Sequence, residues 1–382
     1  MFEFTIVKKS KKSRARAGLL KTTHGVVETP CLVPVATQAV VKTLTADQVE
    51  QTGSQILICN TFHLHLKPGE RVVKAAGGLH SFMAWDRPLM TDSAGFQVFS
   101  FGFGRDQEVG KILKIFPGRT SVPALEKNSQ PKTVRITSRG VYFRSPLDGR
   151  ELFIGPKESM KIQASLGADI IFAFDECTSP LVSREYAAAS LARTHAWAKL
   201  SLQYYSPKQA LFGIVQGSHF RDLRTRSAKF IARLPFDGFG IGGDLGRTKQ
   251  DMKNILRWTL PHLSPAKPRH LLGIGYLEDI PNIIREGIDT FDCTVPTHYA
   301  RRSIAFTSQG ELRLDKTTYL QDHSSLDPQC VCTVCSRYTR AYLAHLLRAK
   351  ESTAGTLLTI HNLFFFNHFV EQIRNDIKSG KV

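Results

Sequence analysis

The sequence lacks most of what would tie it to a membrane or to an oxidising compartment. No apolar run reaches the ~18–20 residues that a membrane-spanning helix needs. Cysteines number seven. Cys31, Cys59, Cys177 and Cys293 are scattered, while Cys330, Cys332 and Cys335 crowd together. An odd count with one tight cluster argues against a disulfide framework, and so against a small disulfide-stapled secreted scaffold. The first residues, MFEFTIVKKSKKSRARAGLL, are basic but lack the apolar stretch and small-residue cleavage site of a secretory leader. The expected location is therefore cytoplasmic. Internal repeats and long low-complexity tracts are missing too, which excludes a solenoid. Negative charge is scarce: 33 Asp plus Glu face 51 Lys plus Arg, a formal net charge of +18. That balance favours a polyanionic partner, because each phosphate neutralised releases condensed counterions. With no basic amphipathic anchor in view, a nucleic acid fits better than a membrane surface.

What is present is enough apolar material for a large core, 42% of 382 residues. Short apolar runs at 31–35, 56–59, 89–91, 170–174, 211–215, 239–241, 271–274 and 290–291 read as strands. Helical stretches lie between many of them, as at 183–203, 220–232 and 277–286. Such alternation implies an α/β protein with a parallel sheet. Eight strands suggest a closed (β/α)8 TIM barrel, although a doubly wound open sheet shares the local pattern. The chemically interesting residues follow strand ends: Asp92 and Ser93, Asp175 and Glu176, Gln216 and Gly217, Gly242 and Gly243, Asp292. Barrel enzymes build their sites on that carboxyl-terminal face.

Between 104 and 138 the pattern fails. This stretch is polar, basic and turn-rich, and reads as a surface insertion that could also grip RNA. The expected organisation is a catalytic barrel over 1–300 and a metal-binding subdomain with a helical end over 301–382. In the second part, Cys330-Val-Cys332-Thr-Val-Cys335 places three thiols where they can share one ion. Thiolates suit zinc, and a fourth ligand would close a tetrahedral structural site with no open position for water. His361 is the best candidate, with His345 and His368 as competitors.

Five segments complete the pattern: Thr91-Asp92-Ser93-Ala94-Gly95-Phe96-Gln97, Phe174-Asp175-Glu176-Cys177-Thr178, Gly213-Ile214-Val215-Gln216-Gly217-Ser218, Gly240-Ile241-Gly242-Gly243, and Gly287-Ile288-Asp289-Thr290-Phe291-Asp292-Cys293. With the cysteine cluster and distal histidine, this order resembles the tRNA-guanine transglycosylases, also called queuine tRNA-ribosyltransferases, from about residue 18 to 370 apart from the insertion. The resemblance implies a (β/α)8 barrel with a C-terminal zinc subdomain acting on the wobble guanine of GUN anticodons. It makes Asp292 the nucleophile and Asp92 the general acid/base. Two carboxylates suit the chemistry. One attacks the ribose anomeric carbon and expels guanine, leaving a covalent ribosyl-enzyme. The other takes the ring proton that the incoming base must lose.

By the same resemblance, Asp175 accepts from guanine's N–H edge, and Gln216 and the Gly243 amide donate to its carbonyl. Phe96 and Leu272 sandwich the base, while Ser93 and Cys177 border the pocket. Ala94 stands where the family usually has glycine. Gly246 stands where bacterial members carry valine; in the family, glycine there goes with queuine and a bulky residue with the smaller prequeuosine base, so queuine is the expected substrate. Asp244 is a candidate partner for the amine both bases carry, or else a solvated loop carboxylate. His298 replaces a usual arginine, and with Arg301 and Arg302 it makes a candidate anticodon-loop contact. A homodimer is implied as well. Two other functions fit parts of this pattern: a retaining N-glycosidase that uses water as acceptor, and a non-catalytic RNA-binding subunit of the same fold. The presence of both Asp92 and Asp292 disfavours the second. A catalytic zinc hydrolase would need an open metal position.

Overall fold

A computed structural model describes residues 2–96, 134–246 and 248–382 of the chain. Eight parallel strands close into a barrel, hydrogen-bonded in sequence order. They are β1 (Cys31–Ala36), β2 (Leu57–Cys59), β3 (Leu89–Thr91), β4 (Ile170–Phe172), β5 (Ala210–Val215), β6 (Gly238–Ile241), β7 (Arg269–Leu271) and β8 (Thr290–Cys293). The last joins the first through Thr290–Cys31 and Asp292–Val33 pairing. Each strand lies where the sequence predicts one, and the closed barrel is selected over the open sheet. The seventh differs: it ends at Leu271 and begins two residues earlier than expected. Arg269 and His270 hide their polar groups by bonding, Arg269 through its amide to Asp289 at 2.8 Å and His270 to Thr290 at 2.9 Å.

Side chains alternate in and out along each strand. Cys31, Val33, Ile58, Met90, Ile170, Phe172, Phe212 and Ile214 fill the interior. Counting two residues on from Met90, Ile214 and Thr290 reaches Asp92, Gln216 and Asp292, so one parity carries all three above this apolar layer at the strand ends. A three-stranded antiparallel sheet of Glu3–Lys9, Arg16–Thr22 and Gly25–Thr29 closes the opposite end. Its Leu20 and Val27 join the interior cluster. Arg16 anchors it with two bonds to the buried Asp289 carboxylate, at 2.8 and 2.6 Å.

Of the expected insertion, residues 104–133 lie outside the described residues, as does Gln97 of the quoted segments. Its end is corrected from turn-rich coil to strand. Val134–Ile136 pairs with Val141–Arg144, which pairs with Glu151–Ile154. The Trp197 indole N–H donates to the Ser138 carbonyl at 2.7 Å and ties this sheet to helix Arg184–Tyr204.

Past β8, a hairpin of Ile304–Thr307 and Gly310–Arg313 leads through the cysteine cluster to helix Ser352–Ser379. This 28-residue helix packs its Phe366, Val370 and Ile377 with Leu32 and Phe291 of the barrel wall. Asn367 donates to the Thr52 carbonyl at 2.9 Å and Arg374 to the Pro30 carbonyl at 3.0 Å. Among the described residues, no helix is long and apolar enough to cross a membrane.

Candidate active site and metal centre

Asp292 ends the interior face of β8. Its Oδ1 accepts from the His270 Nε2–H at 3.1 Å and from the Gly273 amide at 2.7 Å. His270 is fully buried inside the barrel, and its Nδ1 meets the Thr290 hydroxyl at 2.9 Å. With that hydroxyl donating, the tautomer with the proton on Nε2 is the one that faces the carboxylate. The Asp292 side chain is 15% exposed, so it is held from below and reachable from the mouth.

Asp92 follows β3. Its Oδ2 accepts from Asn60 at 2.6 Å, and its Oδ1 from the amides of Thr61 and Ala94 at 3.0 and 3.1 Å. Asn60 also caps the short helix Thr61–Leu66. The Asp92 carboxylate is thus aligned with first-turn amides and half-buried.

Asp175 is buried and sits between two expected neighbours. Ser93 donates to its Oδ1 at 2.7 Å and Gln216 to its Oδ2 at 2.6 Å. The Gln216 amide oxygen is buried without a hydrogen-bond partner. It lies where a side chain on Gly243 (φ +79°) would stand, 2.0 Å from an added Cβ. Only glycine fits there, and the backbone is left bare beside the Gln216 amide. Leu272, half-buried, lies beside Gly242 on the same edge, and Phe96 is 37% exposed. Cys177 is buried in a core cluster. Burial pushes the Cys59 thiol up to about 12 and raises that of Cys293 as well, so neither offers a thiolate at neutral pH.

One expectation changes here. Asp244 is not a solvated loop carboxylate: it is 1% exposed, and it accepts from the Ser218 hydroxyl at 2.8 Å, from His219 Nδ1 at 2.9 Å and from the Gly246 amide at 2.7 Å. Those bonds give it a loop-holding job instead of a solvent-facing one. Gly246 has its own backbone cause. Its φ is +90°, and a Cβ there would meet the Asp251 methylene at 2.3 Å.

Three residues that the sequence did not single out, Asn60, His270 and Arg224, support the mouth together with Glu176. Asn60 and His270 orient the two carboxylates. Arg224, fully buried, donates to the carbonyls of Ser218 (2.6 Å), Val215 (3.1 Å), Gly242 (2.9 Å) and Asp244, and so clamps the Gln216 and Gly243 loops together. Burial lowers its pKa to about 10, against the pull of Asp244, and it stays cationic. Glu176 turns away from the mouth to a bidentate bond with Arg193, at 2.6 and 2.9 Å, which pins the Asp175 loop to helix Arg184–Tyr204. The signal for Arg224 was present in principle, since it is a charged residue on the apolar stripe of Arg221–Ala232 beside Leu223, Ala228 and Ile231.

Beyond β8, Arg301 and Arg302 are exposed and His298 half-buried. Burial lowers the His298 pKa, and the nearby charges of Arg302, Arg301 and Lys42 lower it further. A neutral imidazole thus sits within a cluster of three cations, suited to an anionic backbone.

In the tail, the Sγ atoms of Cys330, Cys332 and Cys335 lie 3.8, 3.5 and 3.3 Å from His361 Nδ1. Tetrahedral zinc with Zn–S ≈ 2.3 Å and Zn–N ≈ 2.0–2.1 Å spans an S···N edge of about 3.6 Å. The four residues fit such an ion. The Cys335 amide donates to Cys332 Sγ at 3.4 Å, and His361 Nε2–H donates to the Phe306 carbonyl at 2.8 Å, which presents Nδ1 to the thiols. His345 and His368 lie outside this cluster, and His361 is the histidine beside the thiols.

Fold and site together define a (β/α)8 barrel of the enzyme class with separate carboxylate centres at its mouth and, in its tail, three thiols and an imidazole placed to share one metal ion. A family model described as Queuine tRNA-ribosyltransferase matches residues 10–382. A protein of Archaeoglobus fulgidus is 46% identical over 379 residues, covering 96% of this chain and 94% of that protein. Proteins named queuine tRNA-ribosyltransferase from Pelotomaculum thermopropionicum and Halothermothrix orenii are 43% and 42% identical, covering 99% and 98% of this chain and 95% and 93% of theirs. The chain belongs to the queuine tRNA-ribosyltransferase family, whose members are transferases of the pentosyl class acting on tRNA.

Proposed function

We propose that this chain exchanges the wobble guanine of GUN anticodons for a queuosine-pathway base by double displacement. One observation carries the assignment: Asp292 is oriented inside the barrel by His270 and Gly273, while Asp175 is flanked by Ser93 and Gln216 at the same mouth. An Asp292 carboxylate oxygen bonds to the ribose anomeric carbon as the bond to guanine N9 breaks, and Asp92 gives a proton to the departing purine. The incoming base returns a proton to Asp92, attacks the same carbon and releases the carboxylate. Two inversions retain configuration.

Before the base arrives, Asp175 accepts from Ser93 and Gln216. On binding, guanine's N–H donors take over those acceptor positions. Gln216 and the Gly243 amide then turn to the purine carbonyl, and Phe96 and Leu272 cover its faces. Cys177 lines the pocket by packing. His298, Arg301 and Arg302 meet the anticodon loop. Cys330, Cys332, Cys335 and His361 would hold a zinc ion whose contribution is structural, since four protein ligands leave no position for water; it would join the cysteine loop to helix Ser352–Ser379, which packs on the barrel wall. The assembly in this reading is a homodimer.

Queuine is favoured over the prequeuosine base because position 246 carries no side chain to narrow the pocket. The backbone and Asp251 also account for that glycine, so incorporation assays decide the point. Efficient insertion of the prequeuosine base with little queuine uptake would reverse this preference. For the chemistry itself, incubation with tRNA should give a denaturant-stable protein–RNA adduct that Asp292→Ala abolishes. An adduct undiminished in that variant would overturn the mechanism, and release of guanine without incorporation of a new base would make the protein a glycosidase.

A further inference from the structure

At the end of the barrel opposite the mouth, three side chains from distant segments converge. His24 lies in the turn between Arg16–Thr22 and Gly25–Thr29, His80 on helix Leu79–Met83, and Asp169 just before β4. His24 Nδ1 is 2.7 Å from Asp169 Oδ1, and His80 Nε2 is 3.3 Å from Oδ2. All three ligand atoms lie within 4.8 Å of one another. We propose that His24, His80 and Asp169 form a second metal site, for a divalent transition ion with zinc foremost, distinct from the cysteine cluster and independent of the catalytic reading.

The donor set is one carboxylate and two imidazoles, which suits zinc and its neighbours and not a hard ion such as magnesium. His80 Nε2 is buried and faces Asp169 Oδ2 at 3.3 Å, so an ion between the two would bond to both. The Asp169 carboxylate is also held in place, its Oδ2 accepting from the Leu89 amide at 2.9 Å. The two imidazoles stack with centroids 3.5 Å apart and planes 19° from parallel. His24 is 37% exposed, so water can reach the ion and complete its coordination, and the proton between His24 and Asp169 leaves as the ion enters. Bound there, an ion would join the N-terminal hairpin, helix Leu79–Met83 and the start of β4.

Equilibrium dialysis of the full chain against buffered zinc, with metal counted per chain, tests the site. Two ions per wild-type chain are expected. His24→Ala and His80→Gln should each weaken the second by about tenfold or more while keeping the first. Zinc beyond the first equivalent should raise the Tm of the wild type and leave that of His24→Ala unchanged. His24 is in an exposed turn, so this variant remains informative even if His80→Gln fails to fold. Saturation of the wild type at one ion, or a second ion bound with undiminished affinity by His24→Ala, overturns the proposal.

Discussion

His270 Nε2 lies 3.1 Å from Asp292 Oδ1, with its other nitrogen 2.9 Å from the Thr290 hydroxyl. A fully buried imidazole two strand positions below the mouth thus sets the direction of the proposed nucleophile. Removing a hydrogen bond to a charged group costs about 1.5–3 kcal/mol, or about ten- to a hundredfold in rate. His270→Phe should lower kcat by that factor with little change in KM for tRNA, and His270→Gln, which keeps an N–H, should recover part of it. Equal loss in both variants, or a loss confined to KM, would remove His270 from this positioning role.

Arg224 should be among the costliest side chains to replace. In Arg224→Met, buried carbonyls of Ser218, Val215, Gly242 and Asp244 lose their donor. The expected destabilisation is about 3 kcal/mol or more, read from denaturant unfolding. Because those carbonyls lie in the Gln216 and Gly243 loops, KM for the base should rise as well.

Arg301→Ala and Arg302→Ala should weaken tRNA binding without altering the fold. If each meets one phosphate, the slope of log affinity against log salt should become shallower by about 0.7–0.9 per substitution. An unchanged salt slope would place the anticodon elsewhere.

Chelation of the tail metal should lower the Tm by more than ~5 °C, with zinc restoring it. Cys335→Ser should show the lower Tm without chelator. Melting of helix Ser352–Ser379 is expected to accompany it, since His361 lies within that helix.

His195 gives the fold an acid sensitivity of known sign. Burial, followed by the charges of Arg226 and Lys199, lowers its pKa from the ordinary 6.5 to about 4, and its ring stacks on Phe230 with centroids 3.9 Å apart. Between pH 6.5 and 4 the unfolded chain binds the proton and the folded chain does not. Stability therefore falls as pH drops through that window and levels below it. His195→Gln should show a smaller loss of Tm between pH 7 and pH 5 than the wild type; an identical loss would acquit His195.

The sequence was most legible where structure depends on near neighbours. Eight apolar runs, six of them followed by Asp, Gln or Gly, marked the barrel strands, because strand periodicity and the break at a strand end are local. Cys330, Cys332 and Cys335 were recognisable as ligands because thiolate chemistry depends on residue type and close spacing. The edges were less legible. The start of β7 is hidden by Arg269 and His270, two polar residues whose partners Asp289 and Thr290 lie 20 positions away. The strand Val134–Ile136 is hidden in the same way, since it depends on pairing with Val141–Arg144.

Sequence alone, then, determined the alternation of strand and helix, the cationic balance and the set of chemical residues at strand ends. Tertiary structure decided which buried polar groups meet: His270 with Asp292, Asn60 with Asp92, Arg224 with four carbonyls, Asp244 with Ser218 and His219 instead of solvent, and His361 instead of His345 or His368 with the thiols. The reason is physical. Hydrophobic periodicity repeats along the chain, whereas a buried hydrogen bond is specified by two groups that become neighbours only once the barrel has closed.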